Sequence, residues 1–513
     1  MISFILINVC FLILVYNIYV YLFSRPHNFP PGPPKLPYFG SYIFMLLLDH
    51  KHLHLAVDRI CKFYKTSVLG MHLGPFPTIV INGSENVKKM LNNRDFDGRP
   101  DILMGRMRHP EMDLHGIFFT ENAIWYEQRR FVLRHLRDFG FGRRFDSLEK
   151  EIQIQIAQFI DIVQNGPKYP HEKKYVSGSK ILMPYAISPV FGNCFIATLL
   201  NNETIPRESM DGLYRAMENA FIFQRKSDIY GKLYSIIPSF AKYFPGWSDY
   251  KIGRKCSMDL YNYFEQIINE QIQTFDESHE RHFVDMYINK LRKQEPNINP
   301  TTHFSYSQLI LMCIDLILPT LTTISSTITF LFQQIFQEPE LQRKIQSEID
   351  RVVGQGRFPT LDDRVNMPYT EACLREIMRF ESLAPTGVPH KALVDTEFLG
   401  YTIPKGTIIM PALHTAMKEN TVWEQPNDFR PERFLDASGK LCLSKDISLP
   451  FGAGKRLCAG ETFARNMLFL FTTAFLQAFS VRVPNGEKPV KFSENITGTI
   501  RSPKDQWVEL TKR

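Results

Sequence analysis

Cysteine is scarce in this chain, and scattered. Eight cysteines stand at positions 10, 61, 194, 256, 313, 373, 442 and 458 of 513 residues, and none forms a C-x-x-C pair. That spacing excludes a zinc ribbon or a redox dithiol, and the lack of a regular framework excludes a disulfide scaffold. Reduced thiols on the cytosolic side of a membrane are expected. Charge of one sign is scarce too. Lys plus Arg is 60 and Asp plus Glu is 53, a net of +7 spread along the chain. So dilute an excess gives no argument for a nucleic-acid partner. No charged residue precedes Arg25, and beyond residue 38 there is no repeat, low-complexity tract or second proline-rich linker. What is present is material for a large core, 44% apolar and 13% aromatic.

The uncharged start reads "MISFILINVCFLILVYNIYVYLFS". About 20 apolar residues span the hydrocarbon of a bilayer. A cleaved signal would begin with basic residues and end in small ones. Here Tyr19, Tyr21, Leu22 and Phe23 close the run, so residues 1–24 are expected to be an uncleaved membrane anchor. Arg25, Lys35 and Lys51 follow it, and the positive-inside rule puts the rest of the chain in the cytoplasm. Residues 25–37, "RPHNFPPGPPKLP", hold six prolines. They cannot form a helix and favour a stiff, extended hinge over 25–38. One body, 39–513, comes next.

The body reads as mainly α with small β-sheets. Apolar periodicity predicts helices over 121–138, 149–164, 254–275, 305–336, 339–353, 368–381 and 459–479. Strand-like pieces are "TSVLGMHLG", "PTIVING", "FLGYTIPKGTIIMP" and "FSVRVP", the third read as a hairpin.

Cys458 lies in "LPFGAGKRLCAG", residues 449–460. An isolated cysteine is ordinarily a structural thiol. This one sits at the expected start of a helix, beside Lys455 and Arg456, where a thiolate is favoured. Gly454 and Gly460 leave room for a tight backbone and a flat neighbour, and Phe451 offers a ring. A lone soft thiolate with an apolar wall suits an axial haem ligand, because the porphyrin supplies the other donors. The string fits F-x-x-G-x-R-x-C-x-G at every fixed position and so resembles the cytochrome P450 family. Anchor, hinge, body and cysteine loop follow the order of its microsomal animal branch, and "FDGRPD" and "LRHLRDFGFGRR" look most like insect members.

The resemblance implies the P450 fold with an N-terminal transmembrane helix in the endoplasmic reticulum membrane. It implies haem b with Cys458 as the metal ligand and Phe451 beside it. Electrons would come from NADPH through a reductase. "REIMRF" and "PERF" match the family's E-x-x-R and P-E-R-F elements, which implies a buried Glu376–Arg379–Arg433 network. Arg99, Trp125, Arg129, His390 and Arg456 match positions that contact the haem propionates. The run Arg129, Arg130, Arg134, Arg137, Arg143 and Arg144 would dock an acidic reductase, and such docking is salt-sensitive. The substrate pocket would draw on 101–118, 205–225, 308–323, 385–391 and the 495–500 turn, including Leu103, Met104, Phe221, Phe223, Ile317 and Leu318. That lining suits a lipophilic molecule, a hormone-like lipid or a xenobiotic. Sequons at Asn82, Asn202 and Asn495 would go unused in a cytoplasmic body.

The likeness breaks in mid-chain. Family members carry a pattern like A-G-x-[D/E]-T-T there, whose acid and threonine deliver protons during oxygen activation. Aligned through Pro339, this chain has Pro319 at the alanine, Thr320 at the glycine, Thr322 at the acid and Thr323 at the threonine. The proline removes a donor to the Asp315 carbonyl. Three readings stay open. Thr322, Thr323 and water relay protons in a monooxygenase; the protein is an isomerase or dehydratase that needs no relay; or it binds haem without turnover.

Overall fold

A computed structural model describes residues 2–226, 243–246, 249–293, 303–498 and 500–513. Thr499, within the expected pocket turn, lies outside the described residues. The first element is an unbroken helix, α1, Ile2–Phe23. At 1.5 Å per residue it is about 33 Å long, the thickness of a bilayer core. Leu14, Tyr16, Ile18, Tyr19 and Phe23 on it are exposed.

The proline-rich hinge is not a free spacer. The Arg25 guanidinium donates to the carbonyls of Pro30 at 2.7 Å and Pro33 at 2.9 Å. Gly70 N–H donates to Pro31 O at 2.8 Å. A side chain on Gly70 would meet Pro30 O at 2.3 Å, so glycine is needed there for the hinge to dock.

Gly70 belongs to β1 (Val68–Leu73), which pairs antiparallel with β2 (Phe76–Ile81). A small sheet, β3 (Val176–Ser177) and β4 (Lys180–Met183), continues through the C-terminal strands. β5 (His390–Lys391), β6 (Thr396–Phe398), β7 (Tyr401–Ile403) and β8 (Ile408–Pro411) follow. The third strand-like stretch is therefore two things. Its hairpin is β6–β7, turning on Leu399 and Gly400 with φ of 50° and 82°. β8 leaves that hairpin and pairs parallel with β2, and β5 closes the sheet on the far side of β8. β9 (Phe479–Arg482) and β10 (Gln506–Lys512) complete the second sheet, in the order β3–β4–β10–β9.

The main helices are α2 (Asn122–Leu136), α3 (Asp146–Asn165), α4 (Ser188–Leu199), α5 (Asp211–Lys226), α6 (Tyr250–Gln273), α7 (Tyr306–Gln337), α8 (Pro339–Val352), α9 (Pro368–Glu381) and α10 (Glu461–Ala478). The predicted helices match α2, α3 and α6–α10 within a few residues. α7 is long and apolar enough to cross a membrane, but its side chains are buried. It is the axis of the core, packed by α4, α6, α9 and α10. Phe332 of α7 stacks on Phe475 of α10 at 5.8 Å between ring centroids, and Phe475 stacks on Phe471 at 5.4 Å. Such pairs add about 0.5–1.5 kcal/mol each beyond area burial.

Candidate functional site

The cysteine loop is fixed by its glycines. Gly452 and Gly454 hold φ of +74° and +69°, which L side chains rarely adopt. A Cβ on Gly454 would stand 2.0 Å from Leu91 O. Gly460 differs: its φ is −94° and a Cβ there would meet only Phe141, at 3.5 Å. Cys458 N–H donates to Phe451 O at 2.9 Å. The Phe451 ring lies 4.8 Å from the Arg465 guanidinium.

Cys458 stands three residues before Glu461, where α10 begins. Its side chain is accessible, yet protein surrounds it closely enough that burial pushes the thiol up. Both hold for a thiol on the wall of a deep cleft. The expected lowering is outweighed, because desolvation exceeds the pull of the Gly460 N–H and Arg129. A coordinated metal ion reverses that balance, since a ligating thiol is deprotonated.

Of the five predicted propionate contacts, Arg456 and Arg129 converge on Trp125. The Arg456 guanidinium lies 3.7 Å from the buried Trp125 ring centroid, and that of Arg129 at 5.9 Å. Arg456 donates to Asp97 O at 2.9 Å and Thr120 O at 3.0 Å. Arg129 donates to Leu457 O at 2.5 Å, on the cysteine loop. Arg99 donates to Pro389 O at 3.0 Å and Phe118 O at 3.3 Å. His390, at the sheet edge β5, is the fifth. Its Nδ1–H donates to Phe96 O at 2.7 Å. Burial and Arg99 hold it well below its usual range, so it is neutral with Nε2 free to accept. It donates to a carboxylate only as imidazolium, a form the carboxylate itself would stabilise.

Arg456 is buried among other cations. Burial and then Arg99 drive it down to about 8, with Arg129 adding to them and Asp97 and Glu121 opposing. A guanidinium keeps its proton in proteins, so the direction says that an anion beside Arg456 would be favourable. A dianionic, flat molecule with an open metal position would relieve the cations and use the thiol. The donor set fits haem.

A model of the family described as "Cytochrome P450" matches residues 30–508. The chain belongs to the cytochrome P450 family. It is 32% identical over 488 residues to "Cytochrome P450 2B19" of Mus musculus, covering 95% of this chain and 94% of that one. It is 33% identical over 478 residues to "Cytochrome P450 2B2" of Rattus norvegicus, at 93% and 92% coverage. "Cytochrome P450 2J2" of Homo sapiens is 32% identical over 484 residues, at 92% and 90%. The protein is thus a P450 monooxygenase whose cofactor is haem b.

The P450 helix α7 carries the mid-chain departure. Pro319 does not end it; its φ and ψ are −63° and −35°. A π turn, Thr320–Ile324, follows at once. The wider turn weakens the i→i−4 ladder, and hydroxyls step in. Thr320, Thr322 and Thr323 donate to the carbonyls of Leu316, Leu318 and Pro319 at 2.8, 3.0 and 2.8 Å. Ser188 and Ser325 both donate to Leu321 O at 2.7 Å. Thr322 is fully buried, whereas Thr323 is only half-buried. Of the two expected relay residues, only Thr323 presents accessible surface.

One α7 residue was missed in the sequence. Asp315, buried, accepts from Ile117 N–H at 2.6 Å and from the part-buried Phe118 N–H at 2.8 Å, and pairs with the buried Arg108. A single acid inside "LILMCIDLILP" was the available signal, since a charge in an apolar run needs a partner.

Glu376, Arg379 and Arg433 do form one network. Arg379 holds Glu376 with two bonds, 2.7 and 2.8 Å, and Arg433 reaches it at 3.0 Å. Arg379 also donates to Met417 O and Pro426 O. Of the expected pocket residues, Leu103, Met104, Phe223 and Leu318 pack in one apolar cluster. Phe221 and Ile317 do not; they belong to the main core. A cavity of about 470 Å³ lies by the 493–498 turn, lined there by Asn495 and Ile496 and opposite by His52, His54 and Thr386.

The basic face is smaller than the sequence suggests. Arg144 pairs with Glu149 at 2.8 Å and with Asp362, and Arg143 pairs with Asp138 at 3.2 Å. Arg129 turns to Trp125 and the cysteine loop. Arg130, Arg134 and Arg137 stay exposed.

Proposed function

We propose that this P450 inserts one atom of oxygen from dioxygen into a lipophilic small molecule, with NADPH electrons arriving through a reductase. Haem, when bound, supplies a redox-active iron that activates dioxygen. Cys458 would be its axial ligand. Arg99, Arg129, Arg456, the Trp125 N–H and His390 would hold its propionates, with Phe451 supporting the cysteine loop. The reading rests on one observation above all, the convergence of Arg456 and Arg129 on the Trp125 ring beside the accessible Cys458 thiol. Leu103, Met104, Phe223 and Leu318 would exclude water and orient an apolar substrate. Thr323 would hold a proton-bearing water at its hydroxyl, which already donates to Pro319 O and so is left as an acceptor.

The anchor Ile2–Phe23 would fix the protein in the endoplasmic reticulum membrane with residues 39–513 cytoplasmic. Arg130, Arg134 and Arg137 would form the reductase-docking patch beside the cysteine loop.

The test is a reduced carbon-monoxide difference spectrum, then NADPH consumption and product formation with a reductase. A thiolate-type Soret band with coupled product supports the reading. A good band with no NADPH-coupled product points instead to rearrangement or dehydration, a reading favoured by the missing acid at Thr322. Thr323→Ala should lower coupled product about 10²-fold if Thr323 positions the proton source, with the band unchanged. Thr322→Asp tests whether the missing acid limits coupling.

A further inference from the structure

The loop that follows the short helix Leu103–Arg106 reads "HPEMDLH" at 109–115. No part of the haem site uses it. His109, Asp113 and His115 each bring one ligand atom to within 4.8 Å of the others. The two imidazoles lie edge to face, 4.6 Å between centroids. His109 is only 5% exposed, and its Nδ1 has no hydrogen-bond partner. An unpartnered polar atom at such depth costs roughly 1–3 kcal/mol, so something should occupy it.

Neighbouring elements hold the ligands in place. Arg254, on α6, donates to the carbonyls of Met107 at 2.6 Å, His109 at 2.7 Å and Pro110 at 2.8 Å. The His109 ring packs against Tyr261, also on α6. The Gln308 side chain of α7 lies beside His115 and holds both backbone groups of Gly116, the next residue, so the chain at His115 is anchored to α7. Met112 at φ +65° folds the loop back so that Asp113 faces the histidines.

We propose that His109, Asp113 and His115 bind a divalent cation of the zinc class, with water in the fourth position. Two imidazoles and a carboxylate suit zinc and its borderline neighbours better than calcium or magnesium. Bonds of about 2.0–2.2 Å in a tetrahedron set donors about 3.3–3.5 Å apart. The ligand atoms, now within 4.8 Å of one another, would draw together on binding, and Asp113 is exposed, with room to rotate. Bound metal would staple the loop across its own turn. Residues Gly116–Phe118, next along the chain, are clamped to α7 by Gln308 and Asp315. Met107 and Met112 pack with Leu103, Phe223 and Leu318, so metal would stiffen this apolar cluster.

The experiment uses tag-free, full-length, haem-loaded protein in detergent, stripped of loose metal with a chelating resin. Zinc is titrated by equilibrium dialysis and counted by elemental analysis, with iron as the internal standard. One zinc per chain is expected. His109→Gln, Asp113→Asn and His115→Gln should each weaken binding about 10-fold or more, while the reduced carbon-monoxide band reports that each variant is folded. Amide exchange across 107–118 should slow on zinc addition in the wild type and not in the His109→Gln variant. Failure of the wild type to bind zinc overturns the proposal. So does equal retention by the His109→Gln, His115→Gln double variant, or zinc that leaves exchange in the loop unchanged.

Discussion

At the scale of single residues, the site is defined by what is unbalanced. Cys458 is an accessible thiol in a dense setting, and burial disfavours its thiolate. Cys458→Ser should abolish the thiolate-type Soret band while leaving the far-ultraviolet dichroism of the apoprotein unchanged. Arg456 is the matching imbalance of opposite sign, pushed down by burial, Arg99 and Arg129. Removing it should relieve the haem-free protein and harm the loaded one. Arg456→Met is expected to raise the melting temperature of the apoprotein and to speed haem transfer to an excess acceptor protein. A slower transfer would refute the propionate role. These residues were legible because the cysteine motif is a contiguous string. Asp97, Thr120 and Glu121 were not. Asp97 and Thr120 act through backbone carbonyls, which carry no sequence signal, and Glu121 through Arg99 N–H and Lys391.

At the scale of elements, α7 and α9 show two ways of managing buried polarity. In α7 a proline and a π turn release carbonyls, and a run of threonines and serines recaptures them. The sequence revealed the odd residues there but not their remedy, since a hydroxyl's partner depends on the local winding. In α9 the charges are fully enclosed: Glu376 and Arg379 have no exposed surface. Their i, i+3 spacing was readable, and the third member, Arg433, came only through the resemblance. A buried pair that loses one partner leaves an uncompensated charge, at a cost of about 3–5 kcal/mol. Glu376→Gln should therefore lower unfolding free energy by roughly that amount, measured by urea denaturation of the haem-loaded protein. A change under about 1 kcal/mol would mean the network is solvated, as surface pairs are.

At the scale of the whole molecule, one face carries the exposed cations Arg130, Arg134 and Arg137, on α2 and just beyond its end. Arg143 and Arg144 lie nearby but have acidic partners. Charge reversal of the first three should raise the KM for reductase several-fold and flatten its dependence on salt, with substrate binding unchanged. Arg143→Glu should do far less. At Asn495 the buried amide donates to Gln333 Oε1 at 3.0 Å, so a glycan there would require local unfolding. Asn82 and Asn202 are the informative sequons for topology, and peptide mapping should find both unmodified.

The sequence by itself determined the helices, the apolar N-terminal one included, and the cysteine loop. Each depends on residues close in the chain, through periodicity, apolar length or a glycine-spaced string. The tertiary structure decided the rest. It docked the proline hinge on β1, sent β8 away from its apparent hairpin to β2, and took Arg143 and Arg144 out of the basic patch. It also buried Thr322 while leaving Thr323 accessible. The deciding partners are distant in sequence for the hinge and for β8 and only five residues away for the Arg143–Asp138 and Arg144–Glu149 pairs, but in every case hydrogen bonds, ion pairs and burial depend on proximity in space, which local pattern does not encode.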